Sequence, residues 1–219
     1  MRIRPVGAHA LLLDCTAPAD IPEAALVEAW RAELWRRRER GDLIAVEIVP
    51  AARTVLLDGL PDPTTTAEQL TRWASAVAAA TTRPDQAEAN AEAGDAVEVP
   101  VVFDGPDLPV VAEHWGVDVS TVRNRLTSTR FRVAFCGFAP GFPYLTGLPA
   151  ELALPRLATP RPRVPAGSVA LAGPYAGIYP GASPGGWQLV GRTDLVLFDV
   201  AADPPARLGP GTTVRMVAA

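Results

Sequence analysis

Between Ala134 and Thr193 the chain is so dense in glycine and proline that no helix or long regular strand can run through it. The stretch contains AFCGFAPGFPYLTGLP, then ATPRPRVPAGSVALAG, then GIYPGASPGGWQLVGRT. Glycine loses the most entropy on ordering, and proline fixes φ and removes a backbone donor, so this density selects short strands joined by fixed turns. Runs such as Ser168 to Ala172 and Leu195 to Val200 fit between the turns, and beyond Phe131 the pattern indicates a β-barrel or sandwich. Glycines beside aromatics also mark places where backbone approaches a ligand or a partner chain.

The first hundred residues have a different texture. β-rich runs at Arg2 to Pro5 and His9 to Cys15 precede a helix expected to begin after Asp20, with Pro22 in its first turn, and to stop at Gly41. Val27, Trp30 and Leu34 form its apolar stripe, and Arg36 to Arg40 place positive charge at the end the helix dipole favours, as a solvated face. Leu43 to Val49 and Arg53 to Asp58 read as a strand pair around a turn at Pro50. A second helix opens on a Thr65/Glu68 capping box and buries Leu70, Trp73 and Val77. The order β-β-α-β-β-α, closing on Val97 to Phe103, predicts a two-layer sandwich of helices on a mostly antiparallel sheet. Residues Arg83 to Ala96 read as a linker. The expectation is an α+β protein with two domains, residues 1–95 and 96–219.

Composition excludes several chemistries. All 20 basic residues are arginine. Without lysine the chain has no Walker P-loop, no Schiff base and no biotinyl-lysine of its own. No cofactor motif is recognisable, so any ATP, biotin or imine step must involve a partner or a different motif, with ATP possible in the wider complex. The net charge of −4 over 219 residues offers no basic field for nucleic acid or anionic membrane. The amino terminus lacks a cleavage site and no apolar run is long enough to span a bilayer, so a cytoplasmic location is expected. Cys15 and Cys136 have no paired spacing and read as reduced thiols, with no metal site.

Val111 to Leu126, VAEHWGVDVSTVRNRL, has the outline of a helix-turn-helix: one helix ending at Gly116 and a second capped near Asp118 or Ser120. The acidic balance and the lack of a second basic element argue against DNA. His114 and His9 read as surface or core histidines.

The blocks GFAPGFPYL, TPRPRVPAGSV and YPGASPGGWQLVGRT resemble the family that includes the B-type subunit of 5-oxoprolinase, allophanate hydrolase subunit 1 and the sporulation-kinase inhibitor KipI. The likeness extends to VPAARTVLLDG at Val49 to Gly59 and DGPDL at Asp104 to Leu108. The resemblance implies a small two-layer α/β N-terminal domain followed by a cyclophilin-like β-barrel. It also implies a homologous partner, the C-type subunit or an allophanate hydrolase subunit 2-like protein, with a third subunit in the oxoprolinase case. In that assembly 5-oxoproline, a cyclic amide, is opened to glutamate at the expense of ATP.

Under that resemblance, no catalytic residue can be assigned, and the candidates are substrate-binding. Arg161, Arg163 and Arg192 would hold a carboxylate or a carboxyphosphate-like anion. Backbone amides around Ala166 to Val169 and Ser183 to Gly186, those of Gly167, Gly185 and Gly186 among them, would supply oxyanion donors, with the Ser168 and Ser183 hydroxyls as further contacts. Tyr144, Tyr179 and Trp187 would wall the pocket. The sequence departs from the family pattern in three places. Leu126 stands where a histidine is usual, Tyr175 and Ala176 replace a Gln-Thr pair, and a glycine pair is missing around Phe103 and Asp104. Besides an ATP-dependent lactam hydrolase subunit, the resemblance leaves open a carboxyltransferase component working with an external biotin-bearing protein, and a non-catalytic sensor-kinase inhibitor.

Overall fold

The computed structural model describes residues 1–16, 21–81 and 96–219. The chain divides into two compact units, Met1–Gly94 and Asp95–Ala219. The linker expected at 83–96 lies outside the described residues except for Ala96.

In the first unit, strands β1 (Arg2–Val6) and β2 (Ala10–Asp14) precede helix α1 (Glu23–Glu39), and β3 (Glu47–Pro50) and β4 (Thr54–Asp58) precede α2 (Pro63–Thr81). The sheet order is β1-β2-β4-β3, antiparallel throughout. Alternation along β3 and β4 buries Ile48, Val55 and Leu57, where they meet Leu26, Val27, Trp30 and Leu34 of α1 and Leu70 and Val77 of α2 in one core. This is the expected helix-on-sheet sandwich.

Several local expectations are corrected. Pro22 occupies the cap position before α1 rather than its first turn, and Asp20 lies outside the described residues. The cap of α2 is Asp62, whose carboxylate accepts the Thr65 amide at 3.0 Å and the Thr65 hydroxyl at 2.7 Å; Pro63 then suits the first helical position, where no donor is needed. Leu43 is not yet in a strand because the Asp42 and Leu43 amides still close the end of α1 on the Arg37 carbonyl. Pro50 is the last residue of β3, paired with Val55, and not a turn residue. The arginine run is engaged rather than simply solvated. Arg36 and Arg37 both grip Glu33, Arg37 lies 4.2 Å over the Trp73 ring, and Arg38 lies 4.4 Å over Trp35.

The second unit contains β5 (Val97–Val101), α3 (Leu108–Trp115), α4 (Val119–Ser128), β6 (Arg130–Cys136) and β7 (Pro143–Thr146). After a short 3-10 turn at Ala150–Leu152 follow β8 (Arg161–Val164), β9 (Ser168–Ala172), β10 (Tyr175–Ile178), β11 (Ser183–Gly185), β12 (Gln188–Arg192) and β13 (Thr213–Ala218). Seven strands form one sheet in the order β12-β9-β10-β7-β6-β13-β5. Strand β5 therefore belongs here, parallel to β13, and does not close the first sheet. The edges meet just past β5, where Val102 and Arg192 exchange two backbone hydrogen bonds of 2.9 Å each. The result is the nearly closed, cyclophilin-like barrel. Strands β8 and β11 pair separately as a two-stranded flap.

The helix pair is folded as expected, with Gly116 left-handed at the end of α3 and the Asp118 carboxylate accepting the Thr121 amide at 2.6 Å. Its apolar residues Leu108, Val111, Ala112, Val122 and Leu126 are part of the barrel core. Arg123 of α4 donates to the Phe103 carbonyl at 2.9 Å. The pair thus closes the core of this unit.

Candidate functional site

Alternation along the strands sorts the second unit's apolar residues onto two sides of the sheet. Val169 and Leu171 of β9, Ala176 and Ile178 of β10 and Leu145 of β7 face the enclosed core. Their neighbours Ala170, Ala172, Tyr175 and Tyr144 belong to a separate cluster with Phe142, Val164, Tyr179, Trp187 and Leu189, on the outer face of the barrel.

The outer cluster is an aromatic platform. Phe142 stands edge-on to Tyr179, with centroids 5.1 Å apart, and to Trp187 at 5.4 Å. Tyr144 stacks on Phe135 at 4.3 Å and meets Trp187 at 5.5 Å. Gly177 makes this packing possible, since a β-carbon there would lie 2.8 Å from Trp187 and 2.9 Å from Phe142. Gly185 has the same role against Tyr179, whose hydroxyl would be 2.3 Å from an added β-carbon. Trp187 and Tyr179 are buried, whereas Tyr144 and Tyr175 form a half-exposed edge.

A charge missed by the sequence reading completes this site. Arg156, exposed on the segment before β8, acts electrostatically on the hydroxyls of both Tyr144 and Tyr179. Burial raises both phenols above their ordinary pKa, and the guanidinium opposes that shift. Both therefore stay protonated at neutral pH, but Tyr144 alone of the two is open to a ligand, since Tyr179 is buried and its hydroxyl is engaged by the Trp187 backbone. Gln188, 5% exposed, pins this segment by donating its amide to the Pro155 carbonyl at 3.3 Å. Its Oε1 and the Ser183 Oγ are buried with no hydrogen-bond partner among the described residues. The half-exposed Tyr144 and Tyr175 edge, the Tyr144 phenol and the Arg156 guanidinium together suit a flat, anionic small molecule. The only sequence signal for Arg156 was its place beside Pro155 in the proline-rich run, which drew attention to Arg161 and Arg163 instead.

The other expected residues are distributed as follows. Arg161 is engaged within the fold: Nη2 donates to both carboxylate oxygens of Asp107 at 2.7 and 2.9 Å, and Nη1 to the Trp187 carbonyl at 3.2 Å. Asp107, 7% exposed, also accepts the Leu189 amide at 2.6 Å. Arg163 is exposed, and Gly186 accepts the Leu157 amide at 2.7 Å through its carbonyl. Ser168 is buried opposite Arg192 in the register of β9 and β12. Gly167, at φ +77°, would place a β-carbon 2.1 Å from the Thr193 carbonyl.

Arg192 thus belongs to a second place, the barrel seam. Its Nε donates to Asp104 at 2.9 Å, and it lines a cavity of about 380 Å³ with Pro100, Val102, Thr193, Asp194, Leu195 and Ala219. A further cavity of about 520 Å³ lies between α3, α4 and the 3-10 turn, lined by His114, Trp115, Arg125 and Glu151 among others.

The three departures fall in packing positions. Leu126 and Ala176 are fully buried in the barrel core, and Tyr175 stands edge-on to Phe135 and Tyr144, both 5.6 Å away. At the missing glycine pair, Asp104 meets Arg192, and the one glycine present, Gly105, passes too close to the Leu189 carbonyl to carry a side chain. Cys15 and Cys136 are free thiols, each pushed up to about 11 by burial, and so inert at neutral pH. Among the described residues no three His, Cys, Asp or Glu side chains gather as metal ligands, and no helix is long and apolar enough to cross a membrane.

The nearly closed barrel is that of a carboxyltransferase-type domain. The chain belongs to the family described as carboxyltransferase domain, subdomain C and D, which it matches over residues 1–208. It is 39% identical to the B-type subunit of 5-oxoprolinase from Escherichia coli O157:H7 over 223 aligned residues, 97% of this chain and 93% of the relative. The crystal structure of TTHA0988 superposes with a TM-score of 0.72 at 33% identity, covering 97% of this chain but only 40% of that longer one. The Kluyveromyces lactis urea amidolyase shares the fold, with a TM-score of 0.67 at 21% identity over 99% of this chain and 15% of its own.

Proposed function

We propose that this chain is the B-type subunit of a heteromeric, ATP-dependent amide hydrolase that opens 5-oxoproline to glutamate, active with a homologous C-type subunit and, where present, a third. The observation that carries this reading is the end-to-end similarity to a protein named as the B-type subunit of 5-oxoprolinase. In the reaction the lactam C–N bond breaks, water supplies OH to the carbonyl carbon and H to the nitrogen, and hydrolysis of ATP drives the opening. This chain has no P-loop lysine, so the ATP site is assigned to another subunit. Its own contribution is recognition: Arg156 takes the substrate carboxylate, the Tyr144 edge carries the ring, and the Tyr144 phenol donates to the substrate's polar groups.

A carboxyltransferase component is the second reading, favoured by the fold shared with the urea amidolyase. The experiment that separates them is ATP-dependent release of glutamate from 5-oxoproline by the chain alone and mixed with its partner subunits. The expected result is release from the mixture only. A folded, assembled mixture that releases none would overturn the oxoprolinase reading, and turnover of another substrate abolished by avidin would establish the carboxyltransferase one.

A further inference from the structure

Phe138 is the one non-glycine residue at positive φ among the described residues, at 69°. The Ala139 amide donates to the Gly137 carbonyl at 2.8 Å, a hydrogen bond that skips a single residue and makes Phe138 the centre of a strained γ-turn. The base of the loop is held by Gly137 to Phe142 at 3.2 Å and Phe142 to Ala139 at 3.0 Å. Glycines stand nearby at 137 and 141, yet the strained position holds a large aromatic ring that remains 64% exposed. Edge contacts to Phe142 and Tyr179 set its direction but leave most of its surface in water.

The next segment extends this surface. At Gly141 the loop runs against Phe198, which is 37% exposed, with Val196 at 66% and Val200 at 86%. Asp194 and Asp203 are exposed close by on the same segment and form no ion pair among the described residues. Four outward apolar side chains with acidic neighbours fit a protein surface that offers an apolar cleft with a basic rim. In TTHA0988 the homologous region is 40% of a longer chain, so this fold occurs covalently joined to further protein, the kind of neighbour that would cover such a face.

We infer that Phe138 is the anchor of a docking face, completed by Val196, Phe198 and Val200, for the second subunit of the assembly. The inference rests on the subunit reading given above. A ring held out in a strained turn gains its burial only when the partner arrives, which is how interface anchors behave.

The test measures thermal unfolding of the chain alone and its affinity for the co-purified C-type subunit, for wild type, Phe138→Gly and Val200→Asp. Glycine suits the turn, so Phe138→Gly is expected to raise the midpoint of the isolated chain by about 2–4 °C while weakening the complex at least about tenfold. Val200→Asp, at a position too exposed to disturb folding, should also weaken it at least about tenfold. A Phe138→Gly variant that melts lower and binds like wild type would mean the ring serves its own chain's packing and would overturn the inference. Unchanged binding by Val200→Asp would remove the 196–200 segment from the face. If wild type itself does not bind the partner, the subunit reading falls and the inference with it.

Discussion

A methyl group at Gly177 would enter the van der Waals envelopes of Trp187 and Phe142 at once, and neither ring has room to move within the platform. Gly177→Ala should therefore destabilise the chain by about 1–3 kcal/mol, read as a lower denaturation midpoint with loss of near-ultraviolet circular dichroism. Asp107 makes a related demand through charge. Removing its carboxylate would strand Arg161 and the Leu189 amide together, and Asp107→Ala is expected to cost about 3 kcal/mol or more by urea titration. Arg156 is exposed, so its replacement should leave folding alone and change recognition. In the assembled enzyme, Arg156→Ala should raise KM for the carboxylated substrate at least about tenfold with kcat nearly unchanged. Arg156→Lys should restore only part of the loss, because a point charge lacks the bidentate fork. A KM unchanged in Arg156→Ala but raised in Arg192→Ala would move the anion site to the barrel seam.

Among the elements, local chemistry was legible and non-local pairing was not. Gly116 and Asp118 could be read in advance because a left-handed cap and a side-chain cap are decided within a few residues. Tyr144, Tyr179 and Trp187 do pack in one cluster, and their shared place among glycines that close packing requires is what made the grouping legible. The parallel pairing of β5 with β13 joins Val97 to Val214, and no short-range pattern carries that information. Arg161 looked like a ligand-binding fork because its partner, Asp107, is 54 residues away. The helix caps also set a pH dependence. Hydrogen bonds from Thr65 to Asp62, and from Ser120 and Thr121 to Asp118, hold both carboxyls below the ordinary 3.8. Their contribution is complete above that value and is lost as pH falls through the lower folded values. Asparagine at both positions still caps but does not titrate. A double Asp62→Asn, Asp118→Asn chain should thus keep its neutral stability and show a shallower acid limb below the ordinary carboxylate pKa when thermal midpoints are compared.

At the scale of the molecule, each unit has its own sheet and core. A fragment spanning residues 96–219 is expected to unfold cooperatively on its own, as checked by coincident circular dichroism and fluorescence transitions. Within that unit the sheet spans seven strands, but where its edges meet past β5 no regular ladder runs: β12 is joined to the segment after β5 by Val102 and Arg192, by the Gly105 and Asp107 amides on the Val190 and Leu189 carbonyls, and by the Asp104 and Asp107 carboxylates. A hoop closed by a short irregular fastening and not by a full ladder opens there first, so the Val102 and Arg192 amides should exchange with solvent before those at the centre of β6 and β10. Anything that bound across the fastening would act as a clasp, and its binding energy would be felt around the whole circumference.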